Sequence, residues 1–264
     1  MSEPGELQLI ADSLRTAMTG ASGAKLDAAL TELGWLDMLS EIPESAIPLV
    51  FRLLGETGAH APVVNDVVLC AAGSPGGGTV PLPYAGDSWV VWERTDETSS
   101  ALDDELPIHR TSAGEPVPLG QGRAALGWWL VGTGRAMLSL ARQHALDRVQ
   151  FGRPLASFQA VRHRLAETLV AIEGAEATLQ AATDEPDELA FLLAKAAAGQ
   201  AALTAARHCQ QVLGGIGFTA EHRLHQHVKR ALVLDGLLGS SRELTREAGK
   251  ALRERGFAPR LAHL

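Results

Sequence analysis

The chain has 264 residues, 46% of them hydrophobic, and a formal net charge of −8. That length is enough to bury a substantial core, in one large domain or two modest ones. The acidic balance excludes a basic face for nucleic acid or an anionic membrane. Cys70 and Cys209 stand in apolar surroundings without metal-ligand spacing, so two reduced, buried thiols in a cytoplasmic protein are expected. The sequence has neither a charged leader followed by an apolar run nor a stretch of about 18 uninterrupted apolar residues, which predicts a soluble chain.

In chain order, residues 1–72 read as a short helical domain. Leu7, Ile10, Leu14 and Met18 recur at helical spacing, as do Leu26, Leu30 and Leu33, then Ile47, Val50, Leu53 and Leu54. Residues 73–119 open on "GSPGGG", hold the alternating run "SWVVWER" and pass Pro107, Pro116 and Pro118, the pattern of a few strands and loops. Residues 120–264 carry long alanine-rich helices over about 122–148, 157–182 and 186–213, with a final one over 240–255. Pro186, after Thr183 and Asp184, divides the second from the third. The fold class is therefore mostly α, closed by a C-terminal four-helix bundle.

Between the first two long helices lies "RVQFGRPLASFQ", Arg148 to Gln159. Gly152 and Pro154 end one helix and Ser157 is expected to cap the next. Arg148 brings a fork of donors suited to a diphosphate, Gln150 and Gln159 bring amides, and Phe151 offers a flat apolar face. Taken alone, such a corner also reads as a structural helix–helix turn, and a ligand site needs a second element. At the end of the third helix, "QQVLGGIGFTAEH" places Gly214, Gly215 and Gly217 close together. One glycine suffices for a helix cap, whereas three let backbone amides approach a phosphate closely.

Together the two stretches resemble the acyl-CoA dehydrogenase family. Its bundle carries "R-x-Q-F-G-x-P-x-x-x-F-Q" and "Q-x-x-G-G-x-G-F", which read here as "RVQFGRPLASFQ" and "QVLGGIGF". "LTELGWLDML" and "FRLLGETGAHAPV" look like the family's N-terminal helical domain in shortened form. The resemblance implies an FAD held at a dimer interface, its adenosine diphosphate half gripped by these motifs and its ring on the neighbouring subunit. Arg148 would then meet the diphosphate, with Gln211, Gly214 and Gly215 from the second motif. Gln150 and Phe151 would face the adenosine side, with Gln159 close by.

Two departures stand out. The middle β segment is less than half the family's usual length, and "SWVVWER" lacks a Trp-x-Thr flavin contact. The family's catalytic carboxylate lies in a "Y-E-G-T" loop, where this chain reads "LVLDGLLGSS", placing Asp235 at the base position in a Gly-flanked turn. Asp is shorter by one methylene, about 1.3–1.5 Å, and misplacement of that size costs on the order of a hundredfold in rate. The family's alternative base position falls at Gly122. Arg123 resembles an arginine near the catalytic centre and is the candidate substrate contact. His222, His225 and His227 do not converge at helical spacing, so no metal site is expected.

The run "GGIGFTAEHRLHQHVKRA" resembles the smaller, divergent subunits of heteromeric acyl-CoA dehydrogenases, several of which act on steroid side-chain thioesters in actinobacteria. The leading expectation is thus the smaller subunit of an α2β2 enzyme, lending an FAD clamp to a larger partner that binds the acyl-CoA, with an electron-transferring flavoprotein as acceptor. The alternatives are a homomeric enzyme using Asp235 and a flavin-free assembly scaffold.

Overall fold

The computed structural model describes residues 4–95, 97 and 102–257. The outer ends of the first and third zones, and the expected lack of a leader, concern residues outside that range. Five helices come first: α1 (Pro4–Gly20), α2 (Ala24–Glu32), α3 (Trp35–Glu41), α4 (Pro43–Thr57) and α5 (Val64–Ala71). Strands β1 (Pro81–Tyr84), β2 (Ser88–Trp92) and β3 (Ile108–Thr111) then form an antiparallel sheet in sequence order. The bundle follows as α6 (Gly120–Asp147), α7 (Gln159–Asp184), α8 (Glu188–Leu213), α9 (Leu224–Gly236) and α10 (Ser241–Arg255).

The bundle therefore has one helix beyond the expected four. Asp235, read from sequence as a turn residue, belongs to the last turn of α9. The chain leaves that helix because the β1 edge captures it: Ala85 N–H donates to the Gly236 carbonyl at 2.9 Å and Leu238 N–H to Pro83 at 2.8 Å. Ser157 does not cap α7; its hydroxyl donates back to the Pro154 carbonyl at 2.7 Å. Helix α8 begins instead at Asp187, which accepts the Ala190 amide, and α10 opens on a Ser240–Glu243 capping box.

Helix α6 is the centre. Its first half, from Gly122 to Gly134, is buried all round, between α4 on one side and α7, α8 and α9 on the other. At the α4 crossing, Gly55 faces the Trp129 carbonyl and Gly132 faces the Arg52 carbonyl so closely that a Cβ on either would collide with backbone. An aromatic row crosses all three sequence zones. Trp35 meets Phe51, Phe51 meets Trp129 at 5.7 Å, and Trp92 of β2 stacks on Trp129 at 5.6 Å. Trp92 thus holds the small sheet against α6 and is wholly buried.

Two arginines, one buried and one half-buried, complete the join. Arg230 of α9 binds Asp103 and takes the Gly58 and Ala59 carbonyls. Arg94, just after β2, binds Asp27 and Asp66, and Asp66 also accepts the Trp35 indole N–H. Cys209 is buried as expected, and burial pushes its thiol up to about 12. Cys70 is only half-buried, a correction to the sequence reading.

The glycine crossing makes a test with opposite signs. Gly132→Ala should destabilise the chain by about 1–3 kcal/mol through overpacking. Gly174→Ala on exposed α7, where a Cβ meets nothing within 4 Å, should stabilise it by up to about 1 kcal/mol. Denaturant midpoints of both variants measure the difference.

Candidate functional site

Helices α6, α7 and α8 run up, down and up, so the α6–α7 connection and the end of α8 lie at one end of the bundle. That topology brings the two sequence motifs together. His144 registers the closeness: burial first, then both His222 and Arg148, lower its pKa.

The first motif folds into a two-stranded ribbon, β4 (Val149–Gln150) against β5 (Arg153–Pro154). Its two-residue loop has positive φ at both positions, 53° at Phe151 and 76° at Gly152, the mark of a type I′ turn. Glycine adopts that conformation freely, whereas a phenylalanine pays about 1–2 kcal/mol in strain. The Phe151 side chain, held in that conformation, is 90% exposed. Phe151 meets Phe158 edge-on at 6.1 Å, and Phe158 lies under the Arg153 guanidinium at 4.2 Å. Arg148 is exposed and has no carboxylate partner among the described residues. Gln150 is half-buried in the ribbon, and exposed Gln159 contacts His163 at 3.4 Å.

The second motif becomes a 3-10 turn over Gly214–Phe218. Gly214 has φ 65°, and a Cβ on Gly214 or Gly215 would meet nothing within 4 Å. Backbone amides are therefore approachable there, beside exposed Gln211 at the end of α8. An unpaired arginine, a bare glycine turn and an outward aromatic suit a diphosphate carrying an adenosine, so the residues fit the ADP half of FAD. The same end exposes Leu146, Val149, Ile216 and Phe218, the last at 68%. That is a concentration of apolar surface of the kind that marks an interface.

The candidate base lies at the opposite end. Asp235 is 9% exposed, and its carboxylate accepts the Ser241 amide at 3.1 Å, capping α10. The same oxygen sits against Gly199 so tightly that a Cβ there would overlap it. Above Gly122, Val68 and Leu238 fill the space a side chain would need, and the Tyr84 ring covers Gly236. Leu238 holds this position with φ 59°, a strained geometry for leucine. Arg123, the candidate substrate contact, is 7% exposed, pairs with Glu188 and donates to the Leu238 carbonyl. The cavities of about 490 Å³ beside Arg52 and of about 320 Å³ beside His227 are lined by other residues.

Sequence reading missed Lys195, which lies wholly inside this end. Its ammonium donates to the Asp235 carbonyl at 2.6 Å and to Gly239. Burial above all, with Arg123 adding and Asp235 opposing, pulls its pKa down to about 7. The signal lay in its position, since Lys195 shares the core-facing stripe of Leu192 and Gly199. Of the three histidines, His227 is buried beside Gly58, while His222 and His225 engage backbone groups of their own segment.

Residues 117–252, just over half of the chain, match the family model described as acyl-CoA dehydrogenase, C-terminal domain. The chain belongs to the acyl-CoA dehydrogenase family. It is 41% identical over 116 residues to the acyl-CoA dehydrogenase IpdE2 of Mycobacterium tuberculosis, an overlap of 44% of this chain and 36% of that one. The chain spans about a third of the length of the curated relatives it matches first. Two solved structures share the acyl-CoA dehydrogenase fold. A variant named as the Tcur3481-Tcur3483 steroid ACAD has TM-score 0.73 and 18% identity, over 96% of this chain and 99% of that one. The ChsE4-ChsE5 complex from M. tuberculosis has TM-score 0.72 and 17% identity, over 98% and 99%.

Lys195 yields a pH test. Its folded pKa lies below the unfolded value of 10.5, so the unfolded chain binds more protons between pH 7 and 10.5, and stability rises with pH across that window. The denaturation midpoint should rise from pH 7 to pH 9.5 more in the wild type than in Lys195→Met.

Proposed function

We propose that the chain is the smaller subunit of an α2β2 FAD-dependent acyl-CoA dehydrogenase. It would lend the ADP-half clamp to a flavin whose ring sits on a larger partner. That partner carries the base and the acyl-CoA pocket. Bound there, FAD supplies the hydride acceptor for α,β-desaturation, and an electron-transferring flavoprotein takes the electrons on.

The observation that carries this reading is the separation of the two ends. From Lys195 to Gly214 the rise of α8 is roughly 28 Å, further than a ribityl chain and the ring it carries can span. A diphosphate held at Arg148 therefore delivers its flavin ring outside this chain. Closure of the other end favours a heteromer over a homomer. Asp235 caps a helix, Arg123 is committed to Glu188, and Val68 and Leu238 occupy the space over Gly122.

The outer face of α7 supports a large interface. Ala166, Val170, Gly174, Ala177 and Ala181 recur at steps of three and four, and all are exposed, so a partner helix could approach closely. The scaffold reading needs no unpaired Arg148 and no strained, outward Phe151. A steroid thioester is the proposed substrate class, in line with the name of one structure sharing the fold. A cytoplasmic location belongs to the same proposal.

In this role Arg148 supplies charge and direction to the diphosphate oxygens, the 214–215 turn supplies amides, and Phe151 walls the adenosine side. In the complex co-expressed with the larger subunit encoded nearest to it, Arg148→Ala should lower flavin retention about tenfold or more. Asp235→Asn should leave turnover within about twofold, as a helix cap would. A hundredfold loss would make Asp235 the base after all.

A further inference from the structure

We infer that Arg153 is a second anion-binding residue of the clamp, set in place by the face of Phe158. The inference rests on the clamp reading above and adds a residue that neither motif assigns, since position 153 is a free position between the glycine and the proline.

Three observations carry it. The first is register. Gln150 pairs with Arg153 across the ribbon, and cross-strand partners leave a two-stranded ribbon on the same side. Arg148, two residues before Gln150, projects to that side as well. The ribbon therefore gathers Arg148, Gln150 and Arg153 on one face, with Val149 and Pro154 on the other.

The second is the absence of a competing partner. Arg153 is exposed, and no carboxylate pairs with it among the described residues. Arg52, Arg94, Arg123, Arg135 and Arg230 pair with Asp or Glu, whereas exposed Arg142, Arg162 and Arg207 do not among the described residues, so it is the shared ribbon face that sets Arg148 and Arg153 apart. Arg148 and Arg153 share both the ribbon face and the lack of an anion.

The third is preorganisation. The guanidinium lies 4.2 Å from the centre of the Phe158 ring, and a ring face holds a cation without neutralising it. An exposed arginine loses rotamer entropy on binding, and stacking removes part of that cost beforehand. Phe158 also meets Phe151 edge-on, so one side chain fixes both the cation and the aromatic wall. The ligand chemistry is a diphosphate ester: two arginine forks on one face match two phosphate groups better than one does.

The test is FAD affinity in the co-expressed complex, by flavin fluorescence titration, with thermal unfolding measured alongside. Arg148→Ala, Arg153→Ala, Arg153→Lys and Phe158→Leu are compared with the wild type. Arg153→Ala should weaken FAD about tenfold without moving the melting temperature of the flavin-free complex, and Arg153→Lys should recover only part of the loss, because the charge remains but the fork is gone. Phe158→Leu should fall between them. Wild-type affinity in Arg153→Ala with weakened Arg148→Ala would overturn the role of Arg153 and leave the clamp standing. Equal losses in the Ala and Lys variants, with a lowered melting temperature, would make Arg153 a structural staple. Unchanged affinity in both Ala variants would remove the clamp itself.

Discussion

Burial of α6 is the constraint on which the rest depends. A helix sealed on every side over its first half meets its neighbours at backbone distance, and here it does so at Gly55 and Gly132 against α4. That crossing fixes where the N-terminal helices sit. The Trp35–Phe51–Trp129–Trp92 row then fixes where the sheet sits. With so small a sheet, no large β wall exists to position anything. The helices set the geometry of the clamp end, and at the other end the β1 edge adds its hold on residues 236–238.

Those ends have been put to different uses. At one, polar and apolar groups point outward: an unpaired arginine, a bare glycine turn and a strained, exposed phenylalanine. A single chain has little reason to keep that surface unless something covers it. At the other, everything is turned inward. Lys195 and Arg123 donate to backbone carbonyls, Arg123 also pairs with Glu188, the Asp235 carboxylate accepts the Ser241 amide, and Tyr84 and strained Leu238 fill space. Buried charged groups persist when backbone groups take up their hydrogen bonds in this way, and they specify one arrangement of the α9–α10 junction. An acidic protein with unpaired arginines at one end is also electrostatically suited to an anionic ligand there.

Much of this was legible in sequence. The apolar periodicity of α6, α7 and α8 gave their extents within a few residues, because long amphipathic helices carry their own signal. The two motifs that meet at one end of the bundle were readable since the groups in each lie within a few positions of one another. Asp235 was misplaced because its surroundings are assembled from Gly199, Ser241 and Tyr84, which are distant in the chain. Its helical state depends on where the β1 edge captures residues 236–238, a tertiary event with no local pattern. Lys195 did carry a local signal, its place on the core-facing stripe of Leu192 and Gly199, but the carbonyls that receive its ammonium come from Asp235 and Gly239, distant in the chain. Ser157 was a sound cap by composition, yet the 3-10 turn at Leu155–Ser157 draws its hydroxyl to Pro154.

The central claim is that this chain grips a flavin whose ring belongs to another subunit. Its most direct measurement is FAD content per chain together with native mass, for the protein purified alone and co-expressed with the acyl-CoA dehydrogenase-like subunit encoded nearest to it. The account predicts no flavin alone and one FAD per heterodimer in a heterotetramer. One FAD per chain in a homo-oligomer of this protein alone would contradict it.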